Sequence, residues 1–164
     1  FSGVQNFPTV GLIDEDSGFR QNLEETGMGY DKEVEMIREA SEQEMLTCPY
    51  VFTEEHARQM TEAGADVIVS HMGLTTSGDI GAETALDLDE AAERVQAHHD
   101  AAKEVNEDVM VICHGGPIAW PDDAEYVLNN TEGVVGFFGA SSIERLPTEE
   151  AIQNQAREFK EIEF

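Results

Sequence analysis

The sequence has few basic residues. Lysine and arginine together number 9 and aspartate and glutamate 35, so the 164-residue chain carries a formal net charge of −26 at pH 7. Binding to nucleic acid needs clustered lysine and arginine, so this balance argues against a nucleic-acid partner. At molar salt the Debye length falls to about 3 Å, which screens most of the self-repulsion. Because the acidic residues are spread along the chain rather than gathered in one acidic tail, we expect a halophilic protein of a salty cytoplasm.

Cysteine is scarce as well, and long apolar runs are absent. Cys48 and Cys113 lack the spacing of metal ligands, so we expect reduced structural thiols in a cytoplasmic protein. No stretch approaches 18 consecutive apolar residues, so the sequence predicts no membrane-spanning helix, and no basic segment suggests a signal peptide. A chain of this length can bury about 70% of its unfolded surface, and we expect a single domain.

Short apolar runs alternate with helical patterns. The runs predict five buried strands, at 3–10, 46–52, 66–72, 108–114 and 133–140. Helices are predicted at 32–44, at 54–63 after the N-cap Thr53, at 87–105 with a capping box of Asp87 and Glu90, and from Pro121 to before Gly133. A last helix is predicted to start at Thr148 and to turn Ile152, Ala156 and Phe159 inward. This alternation indicates an α/β fold with parallel strands, either a doubly wound sheet or part of a barrel.

Polar residues and glycines gather where the predicted strands end, which is where such folds carry their chemistry. His71 and His114 each end a strand, so either could act as an acid or base, or donate a hydrogen bond to an oxyanion. The alternative is that each is a structural, hydrogen-bonded histidine. His56, His98 and His99 fall on predicted helices and are interpreted as surface or helix-face residues.

Two glycine-containing segments at strand ends suggest an anion site. Their backbone N–H groups and hydroxyls could approach a phosphate closely, although such glycines can also serve only as tight turns. The candidate ligand-binding residues are Gly115, Gly116, Gly139, Ser141 and Ser142, with Asn6 at the end of the first strand.

Two polar loops are weaker candidates. Glu24 and Glu25 lie in a predicted loop with Arg20, where Glu25 could be a general base or help to hold a divalent cation. In so acidic a chain, a pair of glutamates is also what a solvated surface would show. The segment 75–79 is either a mobile lid or an ordinary surface loop.

Several longer motifs converge on one family. They are GVQNFPTVGLID at 3–14, LEETGMGY at 23–30, HMGLTT at 71–76, CHGGP at 113–117 and GASSIERLP at 139–147. With them the chain resembles the phosphoenolpyruvate hydrolase-like TIM-barrel family, also described as TIM-barrel signal transduction proteins. The resemblance covers essentially the whole sequence.

The resemblance implies a parallel (β/α) TIM barrel, of which residues 1–164 would be the C-terminal part of one domain. About five of the eight βα units would be present and the first three absent, which leaves open strand edges and makes a homo-oligomer one alternative.

The function implied by the resemblance concerns a small phosphorylated or carboxylated metabolite. The ligand would resemble phosphoenolpyruvate, with His114 and His71 as acid, base or oxyanion donor, Glu25 as a third candidate, and Mg²⁺ as a cofactor by analogy with related mutases. The alternatives are a ligand-sensing or signal-transduction barrel without catalysis, and an inactive truncated fragment. Whether the chain is an enzyme stays open at this point.

Overall fold

The computed structural model describes residues 1–83 and 86–163, which form an α/β structure with parallel strands. Its strands are β1 (Gly3–Val4), β2 (Leu46–Thr47), β3 (Tyr50–Val51), β4 (Val67–His71), β5 (Met110–His114) and β6 (Gly136–Phe137). Its helices are α1 (Gly18–Glu25), α2 (Tyr30–Glu42), α3 (Glu54–Glu62), α4 (Leu88–Val105), α5 (Pro121–Asn129), α6 (Ser141–Glu144) and α7 (Leu146–Lys160).

The strands follow one another in the order expected for an arc of a β/α barrel. β1 pairs with β2, and β3, β4, β5 and β6 pair in sequence, all in parallel. Helical segments connect the strands and pack on the outside of the arc, which buries apolar residues such as Ile37, Met60 and Ile68 completely. A second cluster beneath α4 and α5 contains Val95 and Val127. The prediction of a parallel α/β barrel arc is therefore confirmed.

The predicted central strands and most helix ends are also confirmed. β4 and β5 lie within the predicted runs, and α4 begins with the predicted capping box. The Thr53 side chain accepts a hydrogen bond from the His56 N–H at the start of α3, and Pro121 opens α5. None of the helices in the two described ranges is long and apolar enough to cross a membrane.

The outer strands are shorter than predicted. The run 46–52 is divided into β2 and β3, because Pro49 has no N–H to donate and the chain changes partner there, from β1 to β4. The run 3–10 pairs only at β1, and residues 10–12 form a turn of 3₁₀ helix. Of the run 133–140, only β6 pairs.

Helix α1 corrects the prediction of a polar loop around Glu24 and Glu25. The Ser17 hydroxyl accepts a hydrogen bond from the Arg20 N–H at its start, and the residue that α1 buries is Arg20. The guanidinium donates to the Val10 and Ile13 carbonyls and pairs with Glu24. Phe19 and Leu23 are the two large apolar side chains of this eight-residue helix, Phe19 is largely exposed, and the buried arginine adds no apolar signal, so hydrophobic periodicity is weak here.

Helix α7 corrects a second prediction. It begins at Leu146 rather than after Thr148, whose hydroxyl instead donates to the Glu144 carbonyl. Ile152 and Phe159 are 65% and 67% exposed, so the stripe predicted to face inward lies on the surface of this chain. Leu146 is the residue that α7 buries.

Candidate functional site

His71 and His114 end the two central strands side by side. The two residues are register partners in the parallel pair of β4 and β5, so their side chains project from the same edge of the sheet. Their ring centroids are 4.6 Å apart and the rings are nearly perpendicular. The structure therefore brings together the two histidines that the sequence places at strand ends.

Hydrogen bonds give the two rings opposite tautomers. The Gly73 N–H donates to His71 Nδ1 at 3.0 Å, so the proton of the neutral His71 ring is on Nε2. His114 Nδ1 lies 2.7 Å from the Phe138 carbonyl oxygen, which can only accept, so His114 Nδ1 carries the proton and Nε2 has the lone pair. His71 thus offers an N–H donor at Nε2, and His114 offers a lone pair at its own Nε2.

Burial keeps both rings uncharged at neutral pH. Their exposed fractions are 5% for His71 and 7% for His114. Burial, with a smaller repulsion from His114, lowers the pKa of His71 to about 3. Burial also lowers the pKa of His114, against the opposing effect of its bond to Phe138. At rest the neutral imidazole N–H can donate a hydrogen bond, and the neutral imidazole lone pair can accept a proton from a bound group.

Aromatic side chains surround this pair. The Tyr50 ring stacks on His114 with centroids 5.1 Å apart and meets His71 edge-on at 4.7 Å. Phe138 packs edge-on against His114, and Phe52 lies 5.0 Å from His71. Tyr50 is therefore the wall that both histidines share.

The histidines line a cleft of about 330 Å³ at the carboxyl ends of the strands. Its lining residues are Gln5, Phe7, Tyr50, His71, Gly73, Leu74, Thr75, His114, Phe138, Ala140, Ser141 and Glu144. This lining offers hydroxyl and imidazole donors and one carboxylate, and in the described part of the chain it contains neither lysine nor arginine. A ligand of low negative charge fits such a lining better than a multiply charged one.

The described residues form no preassembled protein cage for the Mg²⁺ ion that the resemblance implies. Magnesium needs oxygen ligands, and its sites usually include one or two carboxylates. Glu144 is the single carboxylate among the lining residues of the cleft, and in 1–83 and 86–163 no three acidic, histidine or cysteine side chains are grouped to hold a metal ion. We therefore derive no chemical step through a metal.

The predicted glycine pair serves the turn beneath the histidines. Gly115 and Gly116 have φ of +76° and +58°, and the Gly116 N–H donates to the Gly73 carbonyl at 2.8 Å. A Cβ on Gly115 would overlap that same carbonyl oxygen. Glycine here lets the β4 and β5 ends approach each other, and neither glycine lines the cleft.

Among the other predicted residues, Ser141 lines the cleft, while Gly139 and Ser142 flank it in the chain without lining it. Asn6 is buried below the cleft, where its amide bonds to Glu33 and to the Tyr50 backbone. Glu25 is exposed on the last turn of α1 and is not a lining residue.

The predicted lid segment is tied down in this structure. Arg145 donates to the Ser77 carbonyl at 2.9 Å and pairs with Glu149, which accepts from the Asp79 N–H. Thr76 donates through its N–H to the Gly116 carbonyl at 3.2 Å. The segment continues from Gly73, Leu74 and Thr75, which line the cleft. The contacts of Arg145 and Glu149 therefore help to fix one border of the cleft.

Of the two interpretations of His56 and His98, the surface one is wrong. Both lie on the buried face of their helices. His98 Nδ1 is 2.7 Å from the Ser70 hydroxyl, directly behind the β4 end, and His56 stacks on Tyr30 with centroids 3.7 Å apart. His98 lies three residues after buried Val95, and His56 lies four residues before buried Met60, so helical spacing did carry a signal for both.

Sequence reasoning also missed Glu33, which is half-buried and binds the segment that follows β1. A signal was present, because position 33 adjoins the apolar stripe of α2 formed by Tyr30, Val34 and Ile37. A glutamate there is expected either to be solvated or to hold specific donors.

The sequence matches known proteins over a range that includes every residue of this site. Residues 1–162 match the family model described as phosphoenolpyruvate hydrolase-like. A tomato (Solanum lycopersicum) protein named ToMV susceptible protein tm-1(GCR26) is 59% identical over 162 residues, which are 99% of this chain and 21% of the relative. A Sinorhizobium fredii protein named "Putative transcriptional regulatory protein y4pA" is 33% identical over 99% of this chain and 26% of that protein.

The chain thus spans about a fifth to a quarter of the curated relatives it matches. Among solved structures, 2,3-dimethylmalate lyase, a member of the PEP mutase/isocitrate lyase superfamily, is similar with a TM-score of 0.47 and 14% identity. That similarity covers 75% of this chain and 48% of the lyase.

Proposed function

Because the chain belongs to the phosphoenolpyruvate hydrolase-like family, we propose that its cleft binds a small carboxylated or phosphorylated metabolite resembling phosphoenolpyruvate, on which His71 and His114 act. The observation that supports this most is the pair of neutral rings with opposite tautomers, 4.6 Å apart, at the carboxyl ends of β4 and β5. Ser141 and Thr75 supply further hydroxyl donors in the same cleft.

On phosphoenolpyruvate the proposed roles give a balanced hydrolysis. Water attacks the phosphorus and passes one proton to His114 Nε2, while the bond from phosphorus to the enol oxygen breaks. The electron pair stays on that oxygen, where the His71 Nε2–H stabilises the enolate by hydrogen bonding. His114 returns the proton to the methylene carbon of the enolate, so the products are pyruvate and inorganic phosphate. Each ring ends the cycle in the tautomer in which it began.

The charge of the cleft limits how the ligand is held. With Glu144 as the charged lining residue, a carboxylate or phosphate would be bound by neutral donors, not by an ion pair. Such binding is weak for a multiply charged ligand, so the proposal favours the least charged members of this ligand class.

The test is the release of pyruvate and phosphate from phosphoenolpyruvate. Replacing His114 with alanine removes the proton acceptor, and turnover should fall at least about 100-fold. His99→Gln on α4, outside the cleft, is the matched control and should keep turnover. If His114→Ala retains wild-type turnover, the catalytic role of His114 is wrong.

A second candidate function is ligand sensing without catalysis. The absence of lysine and arginine from the described lining favours it, because a phosphoryl transfer site usually supplies positive charge to the transition state. The name of the Sinorhizobium fredii relative, a regulatory protein, is consistent with it. Calorimetric titration separates the two functions: a sensor binds pyruvate or phosphoenolpyruvate without turnover, and His114→Ala then weakens binding alone.

A further inference from the structure

Asn6 takes the place of a β-ladder partner for Tyr50. Its Oδ1 accepts from the Tyr50 N–H at 2.7 Å and its Nδ2 donates to the Tyr50 carbonyl at 3.2 Å. A side-chain amide therefore satisfies both backbone groups of the residue whose ring forms the shared wall of the cleft. The chain after β1 can leave the sheet without orphaning those groups.

Glu33 in turn holds Asn6. The second N–H of Asn6 Nδ2 donates to Glu33 Oε2 at 2.6 Å, the Thr9 hydroxyl donates to the same oxygen at 2.7 Å, and the Val10 N–H donates to Oε1 at 2.8 Å. One carboxylate thus collects three donors from the segment 6–10, and hydrogen bonds to a charged acceptor are stronger than neutral ones. The geometry fixes both the position of Asn6 and its orientation, because only the amide nitrogen can face the carboxylate.

The groups around Glu33 favour its ionised form against burial. Burial raises the pKa of Glu33 above its ordinary value, and the three donors and the nearby Arg20 offset only part of that rise. Tyr30 also lies close, and its hydroxyl donates to the Tyr50 carbonyl at 2.7 Å. Glu33 and Tyr30 thus hold Asn6 and the Tyr50 backbone from the side of α2.

We propose that Glu33 is a positioning residue of the site: through Asn6 it holds Tyr50 against His71 and His114 and so fixes the shape of the cleft. Glu33 is not a lining residue, and it acts only through its partners. The ligand part of this inference rests on the proposed function, whereas the positioning of the aromatic rings does not.

The experiment swaps the donor and the acceptor of the hydrogen bond between positions 6 and 33, by exchanging which residue carries the amide and which the carboxylate. Glu33→Gln leaves one acceptor oxygen for three donors that used two, so at least one of the bonds to the segment 6–10 is lost. Asn6→Asp places two carboxylates within contact. In the double variant the new amide at position 33 donates to the new carboxylate at position 6, while the Tyr50 carbonyl loses the amide donor but keeps the Tyr30 hydroxyl. The oxygen of that amide still accepts from the Val10 N–H, and the Thr9 hydroxyl can rotate. Glu35→Gln is the control, since Glu35 lies on the same helix and pairs only with exposed Lys32.

The first readout is the NMR spectrum of the His71, His114 and Tyr50 rings, which needs neither ligand nor turnover. Both single variants should shift these ring signals, because stacked rings shield one another, and the double variant should return them toward wild type. Glu35→Gln should leave them unchanged. If the single variants lower the melting temperature but leave the ring signals in place, Glu33 is only structural and the proposal is wrong.

The second readout is the KM for phosphoenolpyruvate in the wild type and the same four variants. The single variants should raise KM about tenfold with a smaller change in kcat, as expected when a charged hydrogen bond that shapes a binding wall is lost. Restoration in the double variant supports positioning. Absence of turnover in the wild type would overturn hydrolysis alone, since the ring signals still decide the role of Glu33.

Discussion

The centre and the margin of the sheet are built in different ways. β4 and β5 pair over five residues each, with the register running through to His71 and His114. β1, β2, β3 and β6 have two residues each. At these short outer strands, side-chain hydrogen bonds take over from backbone pairing. Asn6 bonds to the Tyr50 backbone, and Thr47 bonds to Asp66. Long backbone pairing thus places the reactive rings, and side-chain hydrogen bonds place the wall that faces them.

The largest effect that this comparison predicts is at the centre. Gly115→Ala puts a Cβ against the Gly73 carbonyl oxygen at a φ of +76°, and we expect a loss of at least about 3 kcal/mol of unfolding free energy. Gly18→Ala in α1 is the control, because a Cβ there meets nothing within 4 Å. Urea unfolding measures both, and equal stability of the two variants would show that the turn at β5 is not tightly packed.

The same contrast explains what the sequence could predict. β4 and β5 are apolar runs buried between helices, so hydrophobic patterning found them and therefore also found the histidines that end them. The segment after β1 was predicted as strand because its pairing by Asn6 and Glu33 leaves no periodic signal. Helix α1 was not predicted because the residue that it buries is the polar Arg20. Hydrophobic periodicity in the sequence indicates which apolar residues are buried. It does not indicate specific polar contacts between residues that are distant in the chain.

A second effect concerns the buried histidine behind β4. Burial, with smaller effects of Arg94 and His56, lowers the pKa of His98 to about 4. Between pH 6.5 and pH 4, His98 binds a proton in the unfolded chain but stays neutral in the folded chain. The free energy of unfolding therefore falls as the pH falls through this range. Between pH 6.5 and pH 5 this amounts to about 2 kcal/mol.

Urea unfolding of wild type and His98→Gln at pH 7.5 and pH 5 tests this value. The variant should be less stable at pH 7.5 because Ser70 loses its partner, yet should lose about 2 kcal/mol less on acidification. An identical loss in both proteins would mean that His98 is protonated in the folded state.

The smallest effect is expected at the margin. Thr47 is fully buried, and its hydroxyl donates to the Gly64 carbonyl and accepts from the Asp66 N–H. Thr47→Val should cost about 1 kcal/mol by leaving these groups without a partner. Thr26→Val, at the exposed residue that follows α1, should cost less than about 0.5 kcal/mol. If the two variants lose the same free energy of unfolding, side-chain hydrogen bonds do not stabilise the short outer strands.

The most direct test of the account is the protonation of the two strand-end histidines, measured by NMR on protein labelled with ¹⁵N in its histidine rings. At pH 7 the account predicts that both rings are neutral, with the proton on Nε2 of His71 and on Nδ1 of His114. A charged ring at this pH, or the same tautomer in both rings, would contradict the paired donor and acceptor on which the proposed chemistry rests.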